Sequence, residues 1–551
     1  MNRRGIPGIS IDNKSMKTTV PILVGAAQYT QRKDTNTVLD PLGLMVKASL
    51  HALRDAGSDA LKSIIDTVCV INSFSRDDEC LPLAVSGALG IRPENVIYSL
   101  IGGNSPQTMV NRFARDIATR RRRAVLLTGA EAIYSIHKAY KGKAILDWQD
   151  NVTLRHLRGK NLPVNFGTLL RSGCEHEKEM LKRAGDKYDE VNNPIEKAYD
   201  LFLPQFMYPF FETSLRYLSG RSIREHQLYM GRRYESFSQV AFQNPYAWIR
   251  KKYKAEDLTI AAPQNRYVVY PYTVRVVANI NVDQSAALIM VNETDAAALG
   301  IDRSKWVYPM GGAELDNIWH VTERPKLYES PPVREAARLA LEQSGLSLSD
   351  IGVFDLYSCF PSAVEISRQA IGISEDDPRD LTVTGGLAHF GGPGNNYTMH
   401  AIASVVERIR RDRRLKAMVT ANGWYNSKHA IGIYGAEPPD HPWKDRDDSA
   451  VQKAIDAEAL PAPVEKAAGV LTIEAYIIRY DIEGQAERAT VIGRLKDGKR
   501  ALADVRADST ALRKLEHSEL VGKIGEVYHD STLCRNWIKL YSLNEGNTGC
   551  Y

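Results

Sequence analysis

The chain has 551 residues, of which 44% are apolar and 25% charged, close to ordinary soluble usage; disordered, collagen-like and coiled-coil classes are excluded. Lys and Arg number 71 against 66 Asp and Glu, and a net charge of +5 on so long a chain implies neither a nucleic-acid nor a membrane partner. Six cysteines (Cys69, Cys80, Cys174, Cys359, Cys534, Cys550) lie far apart with no C-x-x-C pair, so neither a disulfide framework nor a metal site is expected, and a reducing, cytoplasmic setting is.

At about 150 residues per domain the length allows three or four units. No run of about 18 apolar residues occurs, so no membrane span is expected. Residues 1–20 read as a tail, since Arg3 and Arg4 precede no apolar segment of an export signal.

From Pro41, an apolar helical pattern through Leu44, Ala48, Ala52, Leu53 and Ala56 stops at Gly57, and Ile65 to Ile71 is β-branched and strand-like. Ser105-Pro106 reads as an N-cap and first-turn pair, with the helix under way by Thr108-Met109 and the strand Ala124–Thr128 ending at Gly129. The same order returns downstream. A helix from Pro331-Pro332 closes at Gly345 before the strand Ile351–Leu356, and a helix from Thr398-Met399 precedes the strand Ala417–Thr420. The offsets agree, 398 − 108 = 290 and 345 − 57 = 288, which points to a duplicated α/β half. Helices alternating with strands predict mainly parallel sheets with helical crossovers.

Between the copies, about 131–240 break the rhythm, with helical pieces at Glu175–Arg183 and Ser222–Ala241 and aromatic clusters at 202–206 and 208–211; this reads as an insertion over the core. The stretch Val276–Asp283 leads into a buried strand, Ala286–Val291. The Pro-rich segment 436–462 has linker composition. Beyond it a period of two at Thr472–Tyr480 and Ala489–Leu495, with a hairpin signal at Asp497-Gly498, predicts a small antiparallel barrel. The expected organisation is an N-terminal half over 21–290 that includes the insertion, a C-terminal half over 291–435, the linker, and the barrel over 463–551.

Six pieces in order resemble the thiolase superfamily, in particular its SCP2-thiolase-like, thiolase-like type 1 branch: Val24-Gly25-Ala26, Gly102 to Gln107, Asn281 to Ala287, Tyr357-Ser358-Cys359-Phe360, Gly385 to Tyr397, and Asn422-Gly423. The resemblance runs from about Pro21 to Gly435. It implies an α/β thiolase fold, two duplicated halves in a layered αβαβα core, with the C-terminal barrel similar to an OB-fold. It also implies an acetyl-CoA acetyltransferase-like chemistry of lipid metabolism, with coenzyme A or acyl-CoA as ligand and no covalently bound cofactor.

That chemistry needs a cysteine at a helix N-terminus, oxyanion holes built partly from a G-H-P histidine, and a second cysteine that shuttles protons. Here the nucleophile's slot falls on Gly103 or within one residue of it, with no cysteine between Cys80 and Cys174, while Gly392 stands for the histidine, Ala421 for the second cysteine, and Tyr357 for the Asn or His of the N-E-A-F-like motif. Glycine cannot be acylated and alanine carries no proton, so standard thiolase chemistry is not expected. Gly103, Asn104, Ser105, Tyr357, Gly392, Asn395 and Asn422 are the expected ligand and oxyanion contacts, with free amides at the helix tip and room beside Gly103 and Gly392. Cys359, His389 and His429 are the candidates for altered acyl-transfer chemistry. The alternative is a non-catalytic subunit holding a protein partner, with homodimerisation open. From Pro461 to Tyr551 there are 13 Lys or Arg and 13 Asp or Glu, so the barrel is expected to dock or cap rather than bind nucleic acid.

Overall fold

Ten residues from Pro21 to Thr30 are almost all buried, as expected of a strand covered by helices on both faces. The structure, a computed structural model, describes residues 19–35, 37–148, 151–160, 164, 168–169, 191–481 and 483–541. The expected helix at Glu175–Arg183 and the cysteines Cys174 and Cys550 lie outside them.

The strands in chain order begin with β1 (Pro21–Thr30), β2 (Thr67–Val70), β3 (Asn95–Tyr98), β4 (Ala124–Ala132), β5 (Tyr267–Tyr270), β6 (Tyr272–Thr273) and β7 (Asp283–Asn292). The first sheet runs β1-β7-β4-β2-β3, with β7 antiparallel to both neighbours and β4, β2 and β3 parallel. β8 (Tyr308–Asp316), β9 (Val353–Asp355), β10 (Ala417–Gly423) and β11 (Lys428–Gly435) form the second, in the order β8-β11-β10-β9. Its directions repeat the first: β11 is antiparallel to both neighbours, and β10 is parallel to β9. The place of β3 is taken by Asp380 and Leu381, whose carbonyls accept from the Phe354 and Leu356 amides at 2.9 Å each.

Helices Pro41–Ala56 and Pro331–Ser344 cover the outer faces, each closed by a glycine in the left-handed region, Gly57 at φ 75° and Gly345 at φ 70°. Helices Ser105–Ala118 and Tyr397–Arg411 lie between the sheets and pack on strands of both. The layers are αβαβα, the duplicated α/β architecture read from the chain.

Two local expectations are corrected. The middle helix starts at Ser105, and its N-cap is Asn104, without a side-chain cap; the Ser105 hydroxyl donates instead to the Leu100 carbonyl at 2.8 Å. β4 does not stop at Gly129 but stays paired with β7 to Ala132; the glycine marks a close approach within the strand, where its absent Cβ would lie 2.6 Å from Asn396 Cγ. The expected buried strand Ala286–Val291 lies within β7, and Val274–Val276 is a 3₁₀ turn.

β12 (Gly469–Tyr480), β13 (Ala486–Leu495), β14 (Arg500–Val505), β15 (Ile524–Asp530) and β16 (Arg535–Leu540) close a five-stranded barrel, β12-β13-β14-β16-β15 and back to β12. It is not wholly antiparallel, since β14 and β16 pair parallel. Asp497-Gly498 is the β13–β14 turn. The β5–β6 hairpin, which follows the insertion in the chain, adds to the same sheet through Tyr270 and Val269 against Ile478 and Arg479. The connection 436–462 is pinned to the second half: the Trp443 indole donates to Pro309 O at 2.7 Å, and Gln452 bonds both backbone groups of Asp316 at 2.8 Å. Among the described residues no helix is long and apolar enough to cross a membrane.

Candidate functional site

Five segments meet at the N-terminus of helix Ser105–Ala118. The Gly102 amide donates to Asn395 Oδ1 at 2.9 Å, and Asn395 Nδ2 in turn bonds Asn72, joining the glycine-rich loop to the helix tip. Thr398 donates to the Gly103 carbonyl at 3.0 Å. Among the described residues neither the Gly103 nor the Asn104 amide has a hydrogen-bond acceptor.

The expected room beside Gly103 is taken. A Cβ there would fall 2.7 Å from Tyr357 Cζ, closer still to the Tyr357 hydroxyl, and 2.5 Å from the Asn422 carbonyl oxygen. Tyr357 thus fills the slot with its own phenol. Burial raises the pKa of that phenol, so it stays protonated. Gly392 differs: its nearest neighbours, at Ala278, Asn279 and Leu387, stand 3.5 Å from a built Cβ, an ordinary contact. Ala421 is buried in β10.

Cys359 is partly exposed, but its surroundings push the thiol up to about 12; desolvation is the cause, opposed by bonding to Tyr208 and by the Phe360 and Cys359 amides. It is a thiol, not a thiolate, at neutral pH. The same Tyr208 hydroxyl accepts from Asn422 Nδ2 at 3.0 Å and from the Asn426 amide at 2.9 Å, and donates to Trp424 O at 2.9 Å. Trp424 and Asn426 hold positive φ of 54° and 60° in the β10–β11 turn, a conformation that side chains other than glycine rarely adopt. Asn422 Oδ1 and Asn104 Oδ1 are buried without partners.

The histidines do not serve Cys359. His389 stacks on Tyr253 at 5.6 Å and meets Tyr234 edge-on, with its Nε2 unpartnered, and burial pushes it down to about 4. His429 bonds Ser330 at 3.3 Å and Asn426 O at 3.1 Å, and burial pushes it down to about 3. Both are neutral at pH 7 and too weakly basic to take a proton from a thiol near 12. The structure therefore brings Gly103, Tyr357, Asn422 and Cys359 together, links Asn395 to them through Gly102, and leaves the histidines outside. Among the described residues no cluster of three His, Cys, Asp or Glu is placed to hold a metal.

Residues 450–532 match the family model of the thiolase-like protein type 1 additional C-terminal domain. A crystal structure of a monomeric SCP2-thiolase-like protein type 1 from Mycobacterium smegmatis is 31% identical, with a TM-score of 0.75, over 95% of this chain and 99% of that one. The chain belongs to the SCP2-thiolase-like proteins of type 1. More distant relatives include sterol carrier protein 2 of Rattus norvegicus, 26% identical over 38% of this chain and 39% of that protein, so the match spans about two fifths of the relative's length. The 3-ketoacyl-CoA thiolase of Pectobacterium carotovorum is 31% identical over 20% of this chain and 26% of that one.

Two residues of this thiolase-like centre escape sequence reasoning. Tyr208 lies in an aromatic run, Tyr208-Pro209-Phe210-Phe211, that reads as packing, and only the fold carries its hydroxyl to Asn422. Glu131 at the end of β4 accepts from the Phe74 and Ser75 amides at 2.8 and 2.9 Å, abuts Gly394, and is pushed up to about 7 by burial. Its only signal was a carboxylate beside a buried strand.

Proposed function

We propose that this thiolase-like protein binds an acyl-CoA-type thioester at the tip of helix Ser105–Ala118 without becoming acylated there. The observation that carries the reading is the Tyr357 phenol lodged against Gly103. A thioester carbonyl meeting the tip finds donors, the Gly103 and Asn104 amides and the Tyr357 hydroxyl, but no nucleophile. Donors aimed at an oxygen stabilise charge developing on it, as in an oxyanion hole. The names of the relatives support CoA thioesters as the ligand class, with no covalent cofactor. Cys359, a protonated thiol with neither His389 nor His429 bonded to it among the described residues, is poorly equipped for the family's ping-pong route, so binding is retained and the standard acyl transfer is not.

Titration with coenzyme A and several acyl-CoA esters, joined to rapid quench and intact-mass analysis, tests this. Saturable binding, weakened by Tyr357→Phe and without an acyl adduct or CoA release, is expected. An adduct would overturn the non-covalent reading, and turnover lost in Cys359→Ala would restore that residue as a displaced nucleophile. No binding at millimolar concentration would overturn the ligand class and favour a non-catalytic subunit that holds a protein partner.

A further inference from the structure

Helix Pro204–Leu218 meets the candidate site at one end and the barrel at the other. Tyr208 and Arg216 are eight residues apart on it, about 12 Å along the axis. We propose that Tyr208 is a positioning residue of the candidate site and that the C-terminal barrel holds it in place through Thr213 and Arg216.

At the site end every polar atom of Tyr208 is engaged. The hydroxyl meets Asn422, Trp424 and Asn426 and also bonds the Cys359 thiol, so it spans the β10–β11 turn and reaches the cysteine. The ring stacks on Phe360 at 4.4 Å, directly after Cys359. The Tyr208 carbonyl accepts from Ser362 at 3.2 Å and Tyr272 at 3.4 Å. Pro209 then removes one amide from the helix ladder, so tertiary contacts must hold this turn.

At the barrel end the contacts are equally specific. The Thr213 hydroxyl donates to the Tyr476 carbonyl and accepts from the Tyr476 amide, each at 3.1 Å, standing in for a strand at the edge of β12. Arg216, 2% exposed, makes a two-pronged ion pair with Glu519 at 2.8 and 2.9 Å and bonds the Tyr270 and Tyr476 hydroxyls. Planar, bidentate pairing fixes orientation as well as distance. Phe210 and Phe211 share one core with Ala475, Ile477, Ile492 and Leu502 of the barrel. The barrel is thereby a clamp on one wall of the thiolase-like site, a role that needs no ligand of its own.

The test reads Cys359 directly in the full-length chain, by peptide-resolved alkylation with iodoacetamide across a pH series. Glu519→Gln and Thr213→Val should each raise Cys359 labelling more than twofold and shift its pH profile down, towards an ordinary thiol, because burial is the largest influence on that thiol and outweighs the smaller, opposite effect of a weakened Tyr208 bond. The exposed Cys80 and Cys534 should label as in the parent. In a Tyr208→Phe background the Glu519→Gln effect should fall below twofold, because the clamp acts through that hydroxyl. Leu339→Ala, in an outer helix, serves as a destabilised control. An effect below twofold in either barrel-side variant, an equal rise in the control, or an undiminished effect with Tyr208→Phe overturns the proposal. Glu519 is about a third exposed, so its variant reads the link even where changes at Arg216 prevent folding.

Discussion

Gly103 and Tyr357 are matched in volume: the residue without a side chain faces a phenol whose Cζ lies 2.7 Å from where a Cβ would begin. The second obstacle there is backbone, the Asn422 carbonyl at 2.5 Å, which no rotamer change can move. Gly103→Ala is expected to cost about 1–3 kcal/mol, the usual penalty for overpacking a filled core. Adding Tyr357→Phe, which removes only the hydroxyl, should recover part of that loss and leave the share due to Asn422. Denaturant melts of the two single variants and the double read the coupling. Complete independence of the two changes would show that they do not share the slot.

Gly392 should behave in the opposite way. All three nearest atoms stand 3.5 Å from a built Cβ, and its φ lies outside the left-handed region, so Gly392→Ala is expected to change stability by less than about 0.5 kcal/mol. The adjacent Gly391 holds φ 118°, and a Cβ there would crowd Val282 at 2.9 Å, so Gly391→Ala should be clearly destabilising in the same thermal melt.

Glu131 makes stability depend on pH with a definite sign. Its folded pKa, about 7, lies above the ordinary carboxylate value of about 4.5, so between these values the folded state binds more protons than the unfolded one. The contribution is full below about 4.5 and is lost as pH rises through 7, at most about 3 kcal/mol for such a shift. Asp283, pushed up to about 6 by burial, acts in the same direction. Melts of the parent and Glu131→Gln at pH 5 and pH 8 should show the variant losing less, or gaining more, than the parent over that interval. Parallel shifts in both proteins would remove Glu131 as a source of the dependence.

What the chain disclosed unaided follows from which forces are local. Gly57 and Gly345 end their helices because a left-handed cap favours glycine, and that signal sits in one residue, so the duplicated halves were legible. The alternation in Thr472–Tyr480 marks β12 in the sequence, although from Ala475 to Arg479 both faces are buried: Tyr476 and Ile478 pack the barrel core, and Ala475 and Ile477 pack the core shared with helix Pro204–Leu218. The parallel β14–β16 pair was not legible, since two strands' relative direction depends on the long path between them. The site divides the same way. The absence of a side chain at Gly103 is visible in sequence, but its filling by Tyr357, 254 positions on, is a tertiary fact. His389 and His429 looked equivalent to one another and useful; burial makes both neutral, and burial is what motif spacing does not encode.

The central helix offers a last prediction, through a contrast with its outer counterparts. Helices Pro41–Ala56 and Pro331–Ser344 end on glycine in the left-handed region, whereas after helix Ser105–Ala118 it is Arg120 that holds φ 61°. Its amide closes the end by donating to Ile117 O at 3.0 Å, a bond that any residue but proline can make. The Arg120 side chain is exposed and is in no described ion pair, while its neighbours Arg121 and Arg123 pair with Asp116, Asp445 and Asp295. A non-glycine residue in this conformation costs about 1 kcal/mol from the contact of Cβ with the following carbonyl. Arg120→Gly keeps the closing bond and removes that contact, so it is expected to stabilise the protein by up to about 1 kcal/mol, less the greater chain entropy of glycine when unfolded. Arg120→Val, which stiffens the same position with a β-branched side chain, should be destabilising. Thermal melts of the two variants beside the parent decide it, and a loss of stability in Arg120→Gly would mean that the guanidinium does something at this helix end beyond carrying charge.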